Sequence, residues 1–480
     1  MAQTSHRPRP KAIRDRLVVA LARLLTRPFF RRVEVEGGLP DRGPVVLAAS
    51  HLYGFVDPVV LIAHLGVLPR FLAKGTLWKV PVVGRLLDLA RVIPVHRRVD
   101  GAEAGANDGT FASAVAALGD GAIVALFPEG TTHDDPTMRP LRTGAARIAI
   151  EAAAVGVADV VVVPVGVTYE DKVRVRGRAL ISYGEPIPVT APGADDDGHA
   201  AARDLTDRLR RALNDVTPHF DSTEEALALT EAATMSLTID GAPPLLRDTA
   251  ARARRLSRLD APTRKALVDR VARYRMRLGF VGLDDADIVS RAPLRRLVRH
   301  LVVLAVLAVA LSPLALAGLW ANLVPAVLVL LAGLTVRAPV SKGTIRLLVA
   351  AVAFPAMWLV WAWQDRMDGA FGDLARGVTY PIDVLVGPEP GDRTGPLANV
   401  LAVVAAALLG AVALVLVERT WSLAMGVVRW RTLLDRRGQL AEVRERREDV
   451  VDATLAALGP GPGGRAVPAA AGRPVEATPG

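Results

Sequence analysis

The sequence predicts an α/β domain with a mixed, mostly buried sheet and flanking helices, followed by a helical arm and a C-terminal α-helical transmembrane region. Three observations carry this. From residue 33 to about 190, short apolar or β-branched runs alternate with helix-like stretches. Residues 200–299 turn rich in Ala, Leu, Arg and Glu at helical spacing, and beyond 300 long stretches lose every charge. Composition agrees: 51% of the 480 residues are hydrophobic and the mean hydropathy is +0.30, high for a chain without membrane contact.

The first segment, "KAIRDRLVVALARLLTRPFFRR", sets Ile13, Leu17, Leu21, Leu24 and Leu25 among Lys11, Arg14, Arg23, Arg27, Arg31 and Arg32. Its apolar run is too short to span a bilayer, so it reads as a helix lying in the interface, with an ordinary packed surface helix as the alternative. Residues 44–50, 122–127, 160–169 and 179–184 are runs of buried-strand length, and "VIPVHRR" (92–98) adds a shorter one. Helices are expected at 111–118 and 143–154. In the arm, Asp221-Ser222-Thr223 is a cap signal and Pro243-Pro244 a break.

Residues 301–336 carry no charge but are interrupted by Pro313, Asn322 and Pro325, which suggests two short crossings or a hairpin. Residues 347–363 and 396–417 are similarly uncharged. Arg291, Arg295, Arg296 and Arg299 precede this region, and Arg337, Lys342 and Arg346 follow its first run, so both flanks read as cytoplasmic. Between 365 and 396, Asp365, Asp368, Asp373, Asp383, Glu389 and Asp392 outnumber Arg366, Arg376 and Arg393, and arginine returns from Arg419 to Arg447. The expected organisation is an interfacial helix over 1–32, the α/β domain over 33–220, the arm over 221–299 and about four spans within 300–420. A cytoplasmic helix over 421–458 and a disordered tail over 459–480 complete it.

Cysteine is absent, which excludes disulfides, thiolate metal sites and a cysteine nucleophile. The net charge of +10 comes from 59 basic and 49 acidic residues, and lysine occurs only at Lys11, Lys74, Lys79, Lys172, Lys265 and Lys342. No nucleic-acid module accompanies that charge, so anionic lipid headgroups are the expected partners and nucleic acid is not. The amino terminus shows neither the h-region nor the cleavage site of a signal peptide.

The chemistry centres on "ASHLYGFVDPVVLIA", where a strand ends just before His51 and Asp57 follows six residues on. One reading makes Asp57 a helix N-cap, with Pro58 at the first helical position and His51 a structural histidine. The other makes neutral His51 a general base for a substrate hydroxyl, with Asp57 holding the other ring nitrogen. No G-x-S-x-G elbow is present, so the nucleophile would be the substrate's own. "AIVALFPEGTTHDD" places Glu129, Gly130 and Thr131 after another buried strand, where glycine would let backbone amides approach an anion and a carboxylate would bind a polyol or orient the histidine. A plain strand-to-loop turn is the alternative. Arg97 and Arg98 end the short strand of "VIPVHRR" and suit a bidentate grip on phosphate, though arginine pairs are commonly just solvated surface.

These three stretches in this order resemble the glycerolipid acyltransferase superfamily, whose members move a fatty acyl group from a thioester to a glycerol-phosphate hydroxyl. "KGTLWKVPVVGRLLDLARVIPVHRR", "FPEGTTHD", "LRTGAARIAIEA" and "VPVGVTY" carry the resemblance over about residues 40–190. Five residues separate His51 from Asp57, one more than in the superfamily's familiar motif. That spacing is similar to the subgroup of yeast glycerol-3-phosphate/dihydroxyacetone-phosphate acyltransferases and their bacterial relatives. "LTEAATMSL", "GLDDADIVSRAP" and "VSKGTIRLLVAAVAFPAMWLVWAW" extend the likeness to about residue 365. Ala90-Arg91 stand where many relatives carry a glycine before the "IPV" run.

The resemblance implies His51 as general base and Asp57 as its orienter, Arg97 on the phosphate, and Glu129, Gly130 and Thr131 on the glycerol. Arg142 of "LRTGAAR" would assist with phosphate or coenzyme. An acyl thioester is already activated, so no cofactor or metal is expected beyond acyl-CoA or acyl-carrier protein as donor. The expected acceptor is glycerol-3-phosphate, with 1-acylglycerol-3-phosphate or another lyso-lipid as runner-up, and the expected setting an integral membrane protein whose active site faces the cytoplasm. A membrane scaffold or transporter with an inactive domain is the non-enzyme alternative. The intact His51/Asp57/Glu129 set and the absence of ionisable residues from the long apolar runs argue against it.

Overall fold

The computed structural model describes residues 13–41, 43–79, 81–96, 107–171, 176–191, 198–238, 243–289, 294–336, 339–368, 396–435 and 437–459. In chain order these form α1 (Ile13–Phe29), β1 (Phe30–Glu36), β2 (Val45–Ala49), α2 (Val56–Leu65), β3 (Arg70–Lys74), α3 (Pro81–Leu89), β4 (Ile93–Val95), α4 (Asp108–Gly119) and β5 (Val124–Leu126). There follow α5 (Gly144–Ala154), β6 (Val161–Tyr169), β7 (Gly177–Tyr183), β8 (Ile187–Pro188), α6 (Gly198–Val216), α7 (Thr223–Leu237), α8 (Leu246–Ser257), α9 (Ala261–Val281) and α10 (Asp285–Val289). The remaining helices are α11 (Leu294–Leu334), α12 (Pro339–Asp368), α13 (Pro396–Asp435) and α14 (Arg437–Leu458). Two compact units result: Met1–His219 with Leu245–Arg247 and Arg291–Arg431, and Phe220–Pro244 with Asp248–Ser290 and Thr432–Gly480.

The first unit holds an eight-stranded sheet of order β1-β7-β6-β2-β5-β3-β4, with β8 paired to β6. β6 runs antiparallel to β7 and β8, and the other pairings are parallel. β2 shows why its sequence is an unbroken apolar run. Val45, Leu47 and Ala49 enter a core with α1 and α2, while Val46 and Ala48 enter the opposite one with α4, α5 and α6. Burial on both faces leaves no position for a polar residue. β1, "FRRVEVE", opens at Phe30, inside the stretch expected as helix, because it pairs with β7 at the sheet edge and leaves Arg31 and Arg32 exposed. On α1, Val19, Ala22 and Phe29 are buried, whereas Ile13, Leu17, Leu21 and Leu24 form an exposed apolar stripe.

After α3 the chain makes a helix-terminating turn in which Val92 N–H reaches Leu87 O (2.9 Å) and Arg91 N–H reaches Asp88 O (3.0 Å). Arg91 sits there at φ +52°. This is the left-handed position that glycine usually fills at a helix end, and here arginine holds it.

Residues 301–336 were expected to form two short crossings or a hairpin, yet α11 runs through Pro313 and Pro325 as one helix to Leu334. Each proline leaves the carbonyl four residues earlier without its backbone donor. Ser312 Oγ donates to Val309 O (2.8 Å), and the Trp361 indole donates to Ala321 O (2.9 Å), so both gaps are filled. Asn322, buried among apolar helices, donates to Gly318 O and Ala406 O and accepts from Trp358 Nε1. Gly318 lies so close to Leu409 O that a Cβ would overlap it. Small residues and one polar side chain thus join α11, α12 and α13. Among the described residues, Leu314–Leu334 and Lys342–Trp361 are long and apolar enough to cross a membrane. The acidic stretch expected to face the far side lies mostly outside the described residues, as do 460–480 of the tail.

The second unit packs α7, α9 and α14 around Leu229, Ala233, Leu267, Val271, Tyr274, Val443 and Val450. Ser222 caps α7 by accepting from Glu225 N–H (3.1 Å), and Glu225 accepts from Asp221 N–H in return (2.9 Å), as the cap signal predicted. The stretch 421–458, expected as one helix, is shared between the end of α13 and α14, and α14 packs in this core.

Candidate active site

β2, β5 and β6 lie side by side and parallel, so the residues following them gather at one edge of the sheet, where open α/β sheets bind ligands. His51 follows β2, Glu129 follows β5, and Tyr169 ends β6. His51 Nδ1 lies 2.9 Å from Asp57 Oδ2, and its ring stacks on Phe127 with centroids 4.0 Å apart. Nδ1–H donating to the carboxylate leaves the Nε2 lone pair to accept from the Thr132 hydroxyl, whose Oγ1 lies 2.9 Å away.

Asp57 is 0% exposed. Besides His51, its Oδ2 accepts from Tyr53 N–H (2.9 Å) and its Oδ1 from the Tyr169 hydroxyl (2.6 Å). The N-cap alternative fails. α2 begins at Val56 with Phe55 at the cap position and no side-chain cap bond, so Asp57 lies within the first turn and turns its carboxylate to the histidine. Between them the spacer folds through Gly54 at φ +60°, with Val56 N–H bonded to Tyr53 O and Asp57 N–H to Gly54 O. Burial pushes the Tyr53 phenol up to about 12, with Arg346 opposing. Burial, then Asp57, pushes Tyr169 well above the usual tyrosine range, so it stays a protonated donor.

Glu129 is buried and accepts three protein donors: His51 N–H (3.3 Å) on Oε1, and His133 Nε2 (2.6 Å) and Arg139 N–H (3.0 Å) on Oε2. Glu129 thereby ties the backbone of the histidine to its own loop. Gly130 takes φ +69° and gives its N–H to Phe127 O, so that amide is not offered to an anion. The glycine is needed for another reason: a Cβ would lie 2.5 Å from Arg142 Nε, so its absence lets the Arg142 guanidinium lie over the loop. Thr131 is exposed and makes only a long contact with Thr132 O, and it is Thr132 that faces the histidine. Arg97 and Arg98 lie outside the described residues. The described part of their strand, β4, runs parallel to β3 and ends with His96 fastened on both backbone groups by Asn107.

The sequence reading did not single out Thr132, His133, Tyr53 or Tyr169. Thr132 and His133 stand inside "FPEGTTHD" and Tyr169 ends "VPVGVTY", so the signal was adjacency to a motif.

Residues 32–168 match the Acyltransferase family model. A stretch of 123 residues is 33% identical to glycerol-3-phosphate O-acyltransferase 2 of Saccharomyces cerevisiae, covering 24% of this chain and 17% of that protein. Another, of 160 residues, is 33% identical to lyso-ornithine lipid O-acyltransferase of Rhizobium meliloti, covering 32% of this chain and 50% of the other. The chloroplastic 1-acyl-sn-glycerol-3-phosphate acyltransferase BAT2 of Brassica napus is 25% identical over 161 residues, 33% of this chain and 43% of its own. The chain thus spans half or less of the length of these curated relatives. The matched stretch is the α/β region that carries the His51–Asp57 edge, and it is to glycerolipid acyltransferases that this region is similar.

Proposed function

We propose that this protein transfers a fatty acyl group from acyl-CoA or acyl-carrier protein to a hydroxyl of glycerol-3-phosphate, at a membrane. The observation that carries the reading is the His51–Asp57 contact, which turns Nδ1 to the carboxylate and makes Nε2 the accepting nitrogen, a position now bonded to Thr132 Oγ1. Nε2 takes the proton of the acceptor hydroxyl as its oxygen attacks the thioester carbonyl. The tetrahedral intermediate collapses, the C–S bond breaks, and the proton passes from Nε2 to the departing thiolate sulfur. Asp57 stabilises the imidazolium that forms between these steps. Thr132 Oγ1 marks where an acceptor hydroxyl would sit.

Glu129 and His133 hold the loop, Gly130 and Thr131 shape its tip toward the glycerol, and Arg142 and Arg97 supply charge for the phosphate or coenzyme. Long acyl chains and their products live in the bilayer. The exposed stripe of α1 and the two helices of crossing length support attachment there, and a cytoplasmic site is the reading that the arginine-rich flanks favour.

A second acceptor class, a lyso-lipid, is favoured by the larger share of the lyso-ornithine lipid enzyme that aligns. Membranes containing the protein, given a labelled acyl thioester with either acceptor, should acylate glycerol-3-phosphate faster. His51→Ala should abolish transfer at normal protein abundance, and Arg97→Ala should chiefly raise KM for the phosphate-bearing acceptor. Wild-type-like transfer by His51→Ala refutes the mechanism, and an unchanged KM removes Arg97.

A further inference from the structure

The spacer between His51 and Asp57 cannot close its hydrogen bonds from its own residues. Its two local bonds use the N–H groups of Val56 and Asp57. The N–H of Phe55, between Gly54 and Val56, instead donates to Thr344 Oγ1 at 3.1 Å, 289 residues further along the chain. Thr344 lies in an early turn of α12, in the same unit. Next to it, Gly343 is buried against the Tyr53 ring, so close that a Cβ at 343 would overlap it. One and two turns on, Leu347 and Ala350 are buried in the core that holds Val56, Val59 and Val60 of α2. Arg346 acts electrostatically on the Tyr53 phenol. Tyr53 is itself a donor to Asp57. Two routes therefore lead from α12 to the dyad: Thr344 through Phe55, and Gly343 through Tyr53.

We propose that this turn of α12 is part of the scaffold of the catalytic loop, with Thr344 and Gly343 as positioning residues that set the His51–Asp57 geometry. The spacer and the docked helix are then two halves of one device. The spacer's own turn leaves the Phe55 N–H without a local acceptor, and α12 supplies one. Lys342–Trp361 is also one of the two helices of membrane-crossing length. The turn that holds the loop is thus the turn at which that helix begins. The assignment of Thr344 to catalysis rests on the acyltransferase reading, whereas its assignment as the loop's anchor does not.

The test compares Thr344→Val, which keeps the shape but loses the acceptor, with Thr344→Ser, which keeps the hydroxyl, in the full-length protein reconstituted in vesicles. Hydrogen–deuterium exchange of the peptide spanning 51–57 should quicken roughly threefold to tenfold in Thr344→Val, as expected for one lost hydrogen bond. It should stay at the wild-type rate in Thr344→Ser. Acyl transfer by Thr344→Val should lose roughly tenfold to a hundredfold in kcat, with KM for both substrates within about twofold, because geometry and not binding is disturbed. Thr344→Ser should recover most of that loss. Unchanged exchange in Thr344→Val, equal damage in both variants, or a loss confined to KM would each overturn the proposal. Absence of transfer by the wild type, with the exchange difference intact, would overturn the acyltransferase reading while leaving the anchor standing.

Discussion

Replacing Asp57 by asparagine separates the charge of this residue from its shape. The carboxylate accepts from His51 Nδ1, Tyr53 N–H and the Tyr169 hydroxyl. An amide has one acceptor oxygen, and Tyr53 N–H cannot turn away, so that oxygen must take the Oδ2 position. There it still receives His51 Nδ1–H, and the NH2 group faces Tyr169, whose oxygen can accept. The histidine tautomer therefore survives, and what is lost is the negative charge beside the developing imidazolium. With Nδ1 and Oδ2 2.9 Å apart, the charge centres are about 4 Å apart, worth about 4 kcal/mol at an effective dielectric of about 20. That sets a ceiling of about a thousandfold on the fall in kcat. Asp57→Ala should do more, because it strands the Tyr53 N–H and the Tyr169 hydroxyl at a fully buried position and frees the histidine tautomer, costing stability as well as rate. Tyr169→Phe should slow the wild type by removing a donor but cost much less in the Asp57→Asn background, where the hydroxyl faces an amide donor. Initial rates with labelled acyl thioester, beside thermal unfolding of each variant, measure all four quantities. An Asp57→Asn enzyme at the wild-type rate, or one as unstable as Asp57→Ala, would refute the reasoning.

Two further outcomes follow from single side chains. His219 has its pKa lowered, chiefly by burial and against the pull of Glu129 and the Pro136 carbonyl. The folded chain refuses a proton that the unfolded chain takes up near 6.5. The stability this group contributes is therefore complete above pH 6.5 and is lost as pH falls from there toward the folded value. His219→Gln should flatten the decline of Tm below pH 6.5, and an unaltered slope would remove His219 as a cause. Arg91 holds a left-handed conformation at a helix end, so Arg91→Gly should raise unfolding free energy by about 1 kcal/mol in a denaturant titration. A loss of stability would show that the Arg91 side chain contributes more than its backbone strain costs.

Apart from the short β4, the strands legible in the sequence are those buried on both faces, as β2 and β6 are, because such strands are spelled in apolar letters throughout. β1 and β3 escaped for the opposite reason. "FRRVEVE" spends its exposed positions on charge directly after an arginine-rich helix, and "RFLAK" begins and ends on a charge and buries only Phe71 fully. The order of strands was not legible at all, since parallel neighbours are chosen by crossovers and not by local pattern. At the site, His51, Asp57 and Glu129 could be found because each motif lies on a continuous stretch. Their partners could not. Tyr169 reaches Asp57 across 112 residues and Thr132 reaches His51 across 81, and which of two adjacent threonines turns inward depends on the loop's backbone.

The apolar region shows the same limit in its sharpest form. Pro313 and Pro325 were expected to divide residues 301–336 because a proline removes a backbone donor, and that much is local chemistry. Whether the removal breaks a helix depends on who replaces the donor. Ser312 answers for Pro313 from the neighbouring position, so a serine beside a proline could have been weighed as a repair. The answer for Pro325 comes from Trp361, 40 residues away from the carbonyl it bonds and on a different helix. α11 is continuous at that point because α12 packs against it, and α12 is fixed in turn by the catalytic loop that it anchors at Phe55. Helix continuity, helix packing and loop geometry are here consequences of one docking event, which is why no window of sequence contains them.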